Sequence, residues 1–336
     1  MEPQSLIQLY SDHFGTAPRS VERLPGAGSN RIYYRLYPAT TSSLPVVIGV
    51  VGTQREENQS FCQLSRHFTA LHLPVPQVFA VSADAMCYLQ EDLGSTSLFD
   101  VLRESREKGE IDAKAIALLE QVMADLPRFQ FEAASEEVYA CCYPQRYFDR
   151  RTVHFDLNYF KYCFLKLRGV EFNEMRLEDD FDRLCHDLLA VKEVGFMYRD
   201  FQARNVMLRD GHPYYIDFQG GRRGPIHYDV ASFLWQASAH YSASLRLHLI
   251  DVYLDALSAY LTLDKETFLR QLRLFVFFRT LQVLGAYGFR GLWERKQHFL
   301  DSIPQALENM RALLKTGISR PYPQLETVAF MLIKTM

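Results

Sequence analysis

The fold of this chain is decided by the stretch Tyr198-Arg199-Asp200-Phe201-Gln202-Ala203-Arg204-Asn205-Val206-Met207-Leu208 and by Tyr215-Ile216-Asp217-Phe218-Gln219-Gly220, which follows it. Between the two lies Arg209-Asp210-Gly211, a sequence typical of a tight turn, so the apolar residues on either side are predicted to form a two-stranded hairpin. Polar residues stand at both ends, with Asp200 and Asn205 before the hairpin and Asp217 after it. The pattern predicts a group of carboxylate and amide side chains carried by one hairpin.

Two acids and one amide at this spacing resemble the catalytic loop of a kinase. In such a loop one carboxylate faces the hydroxyl that accepts the phosphoryl group, which here is Asp200. An amide and a second carboxylate hold magnesium, which here are Asn205 and Asp217. Capping of local turns is the alternative interpretation of these residues, and the apolar strand residues between them make it the poorer one.

The rest of the chain divides into a strand-rich and a helix-rich part. In the first part, residues 32–36, 46–51, 76–81 and 86–89 read as strands, and one helix follows Glu56-Glu57. Helical periodicity dominates beyond residue 94, over 115–126, 180–191, 244–261 and 268–284. We therefore predict a two-lobed α+β fold, with a small antiparallel sheet and one helix in residues 1–93 and a large α-helical lobe in residues 94–336.

Composition excludes several classes of protein. The 336 residues are 48% hydrophobic and 23% charged, as in an ordinary globular protein, and the net charge of -3 lacks the basic excess of a nucleic-acid binder. No apolar run approaches the ~20 residues of a membrane span, and the N-terminal stretch lacks a secretory signal. The six cysteines show no zinc-type spacing. We expect a cytoplasmic protein with neither nucleic acid nor membrane as partner, whose oligomeric state the sequence leaves open.

These features resemble the aminoglycoside phosphotransferase family of small-molecule kinases, which share the protein-kinase-like fold, over nearly the whole chain. A later segment, Gly224-Pro225-Ile226-His227-Tyr228-Asp229, adds to the resemblance. It implies that Asp229 supports the catalytic loop rather than touching substrate. Asp229 as the N-cap of its own helix is a compatible alternative.

Within that family the chain looks closest to the bacterial cell-wall sugar kinases that phosphorylate N-acetylmuramate and N-acetylglucosamine at the anomeric hydroxyl. Three segments carry this narrower resemblance: residues 198–205, residues 216–232, and the run 278–287 with the segment 299–304 to which it leads. The resemblance implies an enzyme of cell-wall recycling that uses ATP and Mg²⁺ and takes a small sugar as acceptor.

The nucleotide is expected in the first lobe. Gly26, Gly28 and Ser29 precede the aromatic strand at 32–36, and glycines let the backbone approach phosphates, although a simple turn is the alternative. The resemblance also implies that Gln90 and Asp92 belong to a hinge whose backbone groups pair with adenine.

The chain departs from the kinase pattern at three positions. Tyr198 stands where the family has a catalytic-loop histidine, and no lysine stands two residues after Asp200, where protein kinases place one. The third departure concerns the nucleotide phosphates. Strand 46–51 has no lysine to hold the nucleotide phosphates, so the usual ion pair of that lysine with Glu56 or Glu57 is not expected. Another cation must assist magnesium. Arg31 and Arg204 are the candidates.

The acceptor is expected on the helical lobe. Asp156, Asn158 and Arg279 are the polar groups predicted to contact it, although Arg279 could instead pair with a local carboxylate. Two rival functions remain open. One is a kinase of an aminoglycoside, choline or homoserine, for which the acidic run Glu178, Asp179, Asp180 and Asp182 would matter. The other is a pseudokinase that binds nucleotide without transfer, as the missing lysine suggests.

Overall fold

The computed structural model describes residues 2–25, 30–107 and 111–334. Nine short strands occur in these residues: β1 Ser20–Arg23, β2 Ile32–Tyr37, β3 Val47–Val51, β4 Val78–Val81, β5 Cys87–Glu91, β6 Val194–Met197, β7 Val206–Arg209, β8 His212–Tyr215 and β9 Arg222–Pro225. The predicted strands at 32–36, 46–51, 76–81 and 86–89 correspond to β2, β3, β4 and β5.

The helices of the same residues, in chain order, are α1 Glu2–Phe14, α2 Arg55–Ala70, α3 Leu98–Glu107, α4 Ala113–Phe131, α5 Glu136–Cys141, α6 Arg150–Phe160, α7 Glu174–Leu189, α8 His227–Leu234, α9 Ala243–Leu257, α10 Lys265–Tyr287, α11 Gln297–Leu300, α12 Ile303–Leu314 and α13 Pro323–Lys334. Wider turns of the π type continue α6 over Lys161–Lys166 and α10 over Gly288–Trp293. No helix among the described residues is both long and apolar enough to cross a membrane.

The chain divides into two compact units, residues 1–146 with 203–222, and residues 147–202 with 223–336. These units are not the same as the two predicted lobes, whose boundary between residues 93 and 94 stays a prediction. The first unit contains the five-stranded antiparallel sheet, in the order β1-β2-β3-β5-β4, and the hairpin β7-β8. The α+β, kinase-like architecture expected from the sequence is confirmed.

Strand β2 uses its two faces differently. Tyr34 and Leu36 are buried in a cluster with Leu6 and Tyr10 of α1. The alternate residues, Arg31 and those at 33 and 35, lie on the opposite face, because successive side chains of a strand point to opposite sides. One face of β2 is therefore covered by α1, and the other carries polar side chains.

The prediction of one helix in residues 1–93 is wrong, because the structure has both α1 and α2 there. Leu6, Leu9, Tyr10 and Phe14 recur at helical spacing and pack on the sheet. The signal for α1 is therefore local and present in the sequence.

Helix α2 connects the sheet to the hairpin through aromatic packing. The ring of Phe61 stacks on Phe218 at 4.9 Å between centroids and on Tyr88 of β5 at 5.2 Å. Phe68, two turns further along α2, meets Phe218 edge to face at 5.0 Å. Phe218 is fully buried, so the residue before it, Asp217, is held next to the first turns of α2.

In the second unit, helix α10 packs on α6 and on α8. The contact with α6 is close: a Cβ at Gly288 would lie 1.9 Å from the carbonyl oxygen of Cys163, and one at Gly285 would lie 2.8 Å from the amide nitrogen of Phe160. These glycines let the backbones approach to distances that a side chain would prevent. As a result, polar residues of α6, α8 and α10 lie within reach of one another.

Candidate active site

The hairpin brings Asn205 and Asp217 together. Its two-residue turn, Asp210 and Gly211, has φ of 51° and 81°, the left-handed conformation that an Asp-Gly pair adopts readily. The register pairs Val206 with Tyr215, and the amide of Ile216 donates to the carbonyl oxygen of Asn205 at 3.0 Å. The side-chain amide of Asn205 consequently lies 3.4 Å from Asp217 Oδ2. Asp217 has φ of 68°, a conformation that is uncommon for residues other than glycine and that concentrates at functional sites.

A cavity of about 490 Å³ lies in the first unit, beside this pair. Asn205 and Asp217 line it together with three other sets of residues: apolar side chains of the sheet and hairpin, basic side chains, and the segment between β5 and α3. The apolar set includes Ile48, Met207 and Ile216, the basic set is Arg31, Arg35 and Arg204, and the segment contributes residues 90–95. An apolar slot bordered by cations and by oxygen ligands has the composition of a nucleotide site.

The predicted hinge residues Gln90 and Asp92 both line this cavity. The carboxylate of Asp92 is occupied by Arg35, whose Nε and Nη2 donate to it at 2.7 and 3.1 Å. Any contact of Asp92 with a base would therefore involve its backbone, as the sequence analysis supposed. The predicted phosphate residues Gly26, Gly28 and Ser29 lie outside the described residues.

Arg31 and Arg204, the two candidate cations, have different surroundings. Arg31 is 5% exposed, and its Nη2 lies 2.6 Å from Glu57 Oε1 on α2. Its Nη1 lies 3.9 Å from Asp217 Oδ1. Arg204 is exposed, and its guanidinium lies 5.9 Å from the ring of Phe99. An ion pair to Glu57 does form, contrary to the expectation from the sequence, and Arg31, immediately before β2, supplies it.

Gln219 connects the two carboxylates of this region and was missed in the sequence. Its Nε2 donates to Asp217 Oδ1 at 2.7 Å and to Glu57 Oε1 at 3.3 Å. Its backbone carbonyl accepts a hydrogen bond from Ser60 of α2 at 3.2 Å. The residue itself is 8% exposed, so its amide is largely shielded from water although the two carboxylates are partly exposed.

In the second unit, Asp229 holds the backbone that leads into Asp200. It lies in the first turn of α8, and its carboxylate accepts from the amides of Tyr198 at 2.7 Å and of Arg199 at 2.9 Å. The helix begins at His227, with Ile226 at the cap, so Asp229 does not cap its own helix. Burial raises the pKa of Asp229 to about 7, against the lowering effect of the two amides.

Arg199 has φ of 79°, so the backbone immediately before Asp200 is held in a conformation that costs energy. Its guanidinium pairs with Asp156 Oδ1 of α6 at 2.8 Å and lies 5.0 Å from the ring of Tyr228. Arg199 and Tyr228 were not among the predicted site residues. No local signal in the sequence reveals an ion pair between residues 43 positions apart. The one available signal was the presence of a charged residue, Arg199, directly before Asp200.

Arg279 of α10 reaches the same tyrosine. Its guanidinium lies 5.1 Å from the Tyr228 ring, and its Nη2 donates to Ser232 Oγ at 2.9 Å. It also donates to Gln282, and among the described residues it forms no ion pair. Its charge does act on a nearby carboxylate, since it opposes the rise in the pKa of the buried Asp229, so the alternative of a local carboxylate partner stays a prediction. Asn158 stands two positions beyond Asp156, roughly 200° around the helix, so the structure does not bring it to this cluster.

The sheet, the hairpin and the helical unit together define the protein-kinase-like fold. A choline kinase from Cryptosporidium parvum Iowa II has the same fold, with a TM-score of 0.66 over 98% of this chain and 99% of that chain at 11% identity. At this identity the similarity shows the protein-kinase-like fold as the class of structure.

The family follows from the sequence match. Residues 20–264 match the phosphotransferase enzyme family, and since this is more than half of the chain, the chain belongs to that family and is a phosphotransferase. Two relatives are N-acetylmuramate/N-acetylglucosamine kinases. The one from Neisseria meningitidis serogroup B is 29% identical over 77% of this chain and 75% of its own length. The one from Pseudomonas aeruginosa is 24% identical over 92% and 87%. The resemblance stated from the sequence is confirmed.

Proposed function

We propose that this phosphotransferase moves the γ-phosphoryl group of ATP to the anomeric hydroxyl of N-acetylmuramate or N-acetylglucosamine. The observation that carries the proposal is the similarity, over three quarters of both chains, to a kinase of that name. The Asp200, Asn205 and Asp217 set supplies the chemistry that the reaction needs. We expect the reaction to take place in the cytoplasm, where ATP is available.

In this proposal the cavity of the first unit holds ATP and Mg²⁺. Asp217 offers a carboxylate and Asn205 an amide oxygen, the hard oxygen ligands that Mg²⁺ prefers when it binds beside phosphates. The residues present therefore fit the metal. When bound, Mg²⁺ offsets the charge of the nucleotide phosphates. The hinge residues 90–92 and the apolar residues of the cavity would hold the base.

Asp200 would accept the proton of the attacking hydroxyl. Its position depends on Asp229, because the two bonds from Asp229 to the amides of residues 198 and 199 fix the backbone just before it. Asp229 is then a positioning residue, as the resemblance implied. A carboxylate held this way needs little reorganisation during the reaction, which lowers the barrier.

The cluster of Asp156, Arg199 and Arg279 would bind the acceptor, with Asn158 outside it. Three buried polar atoms of the cluster have no hydrogen-bond partner among the described residues: Asp156 Oδ2, Arg199 Nη1 and Arg279 Nε. Buried groups of this kind are costly unless a partner completes them. A hydroxyl-rich ligand can donate to the carboxylate and accept from both guanidinium groups.

A cationic acceptor such as an aminoglycoside is the rival within the same class. The acidic run that could attract it is already engaged. Asp180 is buried and accepts from the amide of Leu325 at 2.9 Å, Glu178 pairs with Lys161, and Asp182 pairs with Arg150 at 2.8 Å. The remaining member of the run, Asp179, is exposed and has no such ion pair or hydrogen bond with the described residues. The structure therefore favours a neutral or acidic acceptor.

The test is a panel of acceptors followed by phosphorus NMR. N-acetylmuramate, N-acetylglucosamine, an aminoglycoside, choline and homoserine are each incubated with magnesium and ATP. We expect transfer to the N-acetylated amino sugars, with the phosphorus coupled to the anomeric proton. Transfer to choline or to an aminoglycoside alone would contradict the amino-sugar assignment, and nucleotide binding without any transfer would favour the pseudokinase.

A further inference from the structure

The sheet shows where the missing lysine of β3 would have to be. Ile48 lines the cavity, so Val50, two residues further, lies on the same face of β3. The register places Val50 between Tyr33 of β2 and Tyr88 of β5, both of which also line the cavity. A basic residue at this position would reach the cavity from β3, and valine cannot take that role.

The neighbouring strand carries a cation at the same end of this face. Tyr33 and Arg35 of β2 and Arg31, the residue immediately before this strand, alternate along the chain, and all three line the cavity. Tyr33 pairs with Val50 and Ile32 with Val51, so Arg31 lies just beyond the end of β3, two residues from the level of Val50 and on the same face. The cation absent from β3 is thus present on the adjacent strand, facing the same cavity.

Arg31 also has the partner that such a cation needs. Its guanidinium lies 2.6 Å from Glu57 of α2 and 3.9 Å from Asp217. Gln219 donates to the same oxygens, Glu57 Oε1 and Asp217 Oδ1, at 3.3 and 2.7 Å. One buried cation and one amide therefore hold together the carboxylate of α2 and the carboxylate that we assign to the metal.

We propose that Arg31 is the phosphate-binding cation of this enzyme, held by Glu57, and that it replaces the lysine which β3 lacks. The inference rests on the proposed function, since it assumes that the cavity takes ATP. A guanidinium has five donors in a planar fork and can hold a carboxylate and phosphate oxygens at once. Arg204 lines the same cavity, but it is exposed, and it forms no ion pair with a carboxylate in the part of the chain that the structure describes.

The test measures binding without turnover. Calorimetric titrations compare a non-hydrolysable ATP analogue, in magnesium, with adenosine, which has no phosphate. Arg31→Met should weaken binding of the analogue at least tenfold, about 1.4 kcal/mol, and change adenosine binding less than about twofold. Arg31→Lys should keep part of the affinity, because it keeps the charge. Arg103→Met is the control, since Arg103 is an exposed cation of the same unit outside the cavity.

The role of Glu57 is tested by a double-mutant cycle. Glu57→Gln should weaken analogue binding in the natural sequence and have little further effect once Arg31 is Met, because its role is to hold that arginine. If Arg31→Met weakens binding of the analogue and of adenosine equally, Arg31 shapes the cavity and does not bind phosphate. If Arg31→Met leaves analogue binding unchanged while Arg204→Met weakens it strongly, the phosphates belong to Arg204. Either result overturns the inference. Neither depends on the acceptor, so failure of the sugar panel is a separate outcome.

Discussion

The two units place their functional carboxylates by different means. In the first unit, Asp217 is held by neighbours in a hairpin and by one helix, and its side chain is 43% exposed. In the second unit, Asp229 is fully buried and serves the backbone of residues 198 and 199 rather than a ligand. An aspartate for a metal must stay accessible, whereas an aspartate that fixes a loop is best kept from water. The exposed fraction thus distinguishes the two proposed roles, although the residue type is the same in both.

The largest expected effect concerns the proton-accepting role proposed for Asp200 of the second unit and the metal-binding role proposed for Asp217 of the first. Asp200→Asn keeps the shape of the side chain but cannot accept the proton, so turnover should fall about 10²- to 10⁴-fold while magnesium-dependent nucleotide binding stays near normal. Asp217→Asn should weaken both, because it removes the charge offered to the metal. A coupled turnover assay beside calorimetric titration measures the two quantities. Near-normal turnover of Asp200→Asn would remove that residue from the chemistry.

The hairpin shows what could be predicted from the sequence. Its turn residues, its alternation and its apolar strands are local, and the register that follows from them brings Asn205 to Asp217. The ion pair of Arg31 with Glu57 was not predictable in the same way. It depends on how Phe61 and Phe218 pack α2 against the hairpin, which is a property of the folded core.

The second unit was less predictable for the same physical reason. The Asp229 contact was expected only through a family resemblance, and the pair of Arg199 with Asp156 joins residues that are 43 positions apart. The approach of α10, which carries Arg279, to α6, which carries Asp156, depends on the close backbone packing that Gly285 and Gly288 permit. Side-chain pairs of this range follow from tertiary packing, and one sequence carries little record of them.

The second prediction concerns stability in acid, which we expect to depend on His227 of the second unit. His227 is fully buried between Phe268 and Phe275, with ring centroids at 4.7 and 5.5 Å, and burial lowers its pKa to about 3. Below about pH 6.5 the unfolded chain binds a proton that the folded chain excludes. The free energy of unfolding should therefore fall as pH decreases from 6.5 towards 3, with a slope of up to about 1.4 kcal/mol per pH unit from this group.

His227→Phe should lack that component, so its unfolding free energy, measured by urea denaturation, should fall less steeply with acid than that of the natural sequence. His186→Gln is the matched control, because this histidine of the same unit is 82% exposed. Parallel pH profiles for the His227 variant and the natural protein would show that the imidazole is protonated in the fold.

The third prediction tests whether Arg279 recognises charge on the acceptor. N-acetylmuramate carries a carboxylate that N-acetylglucosamine lacks, and the half-buried Arg279 has no ion pair among the described residues. Arg279→Gln should lower kcat/KM for N-acetylmuramate about tenfold and for N-acetylglucosamine less than about threefold. Arg273→Gln, an exposed position of the same helix, should change neither. Equal losses for both sugars would assign Arg279 to the integrity of the Tyr228 cluster instead.

The smallest expected effect is that of reductant, and here the two units should behave alike. All six cysteines are free, and four of them, Cys62, Cys87, Cys142 and Cys185, are buried. Burial raises the pKa of the Cys62 and Cys142 thiols to about 12, so almost none of either is present as the reactive thiolate at neutral pH. Thermal unfolding with and without dithiothreitol should therefore agree within about 1 °C, since no covalent cross-link contributes to the stability of either unit. A large decrease in Tm on reduction would mean that a disulfide forms in solution, and it would contradict the cytoplasmic location expected from the sequence.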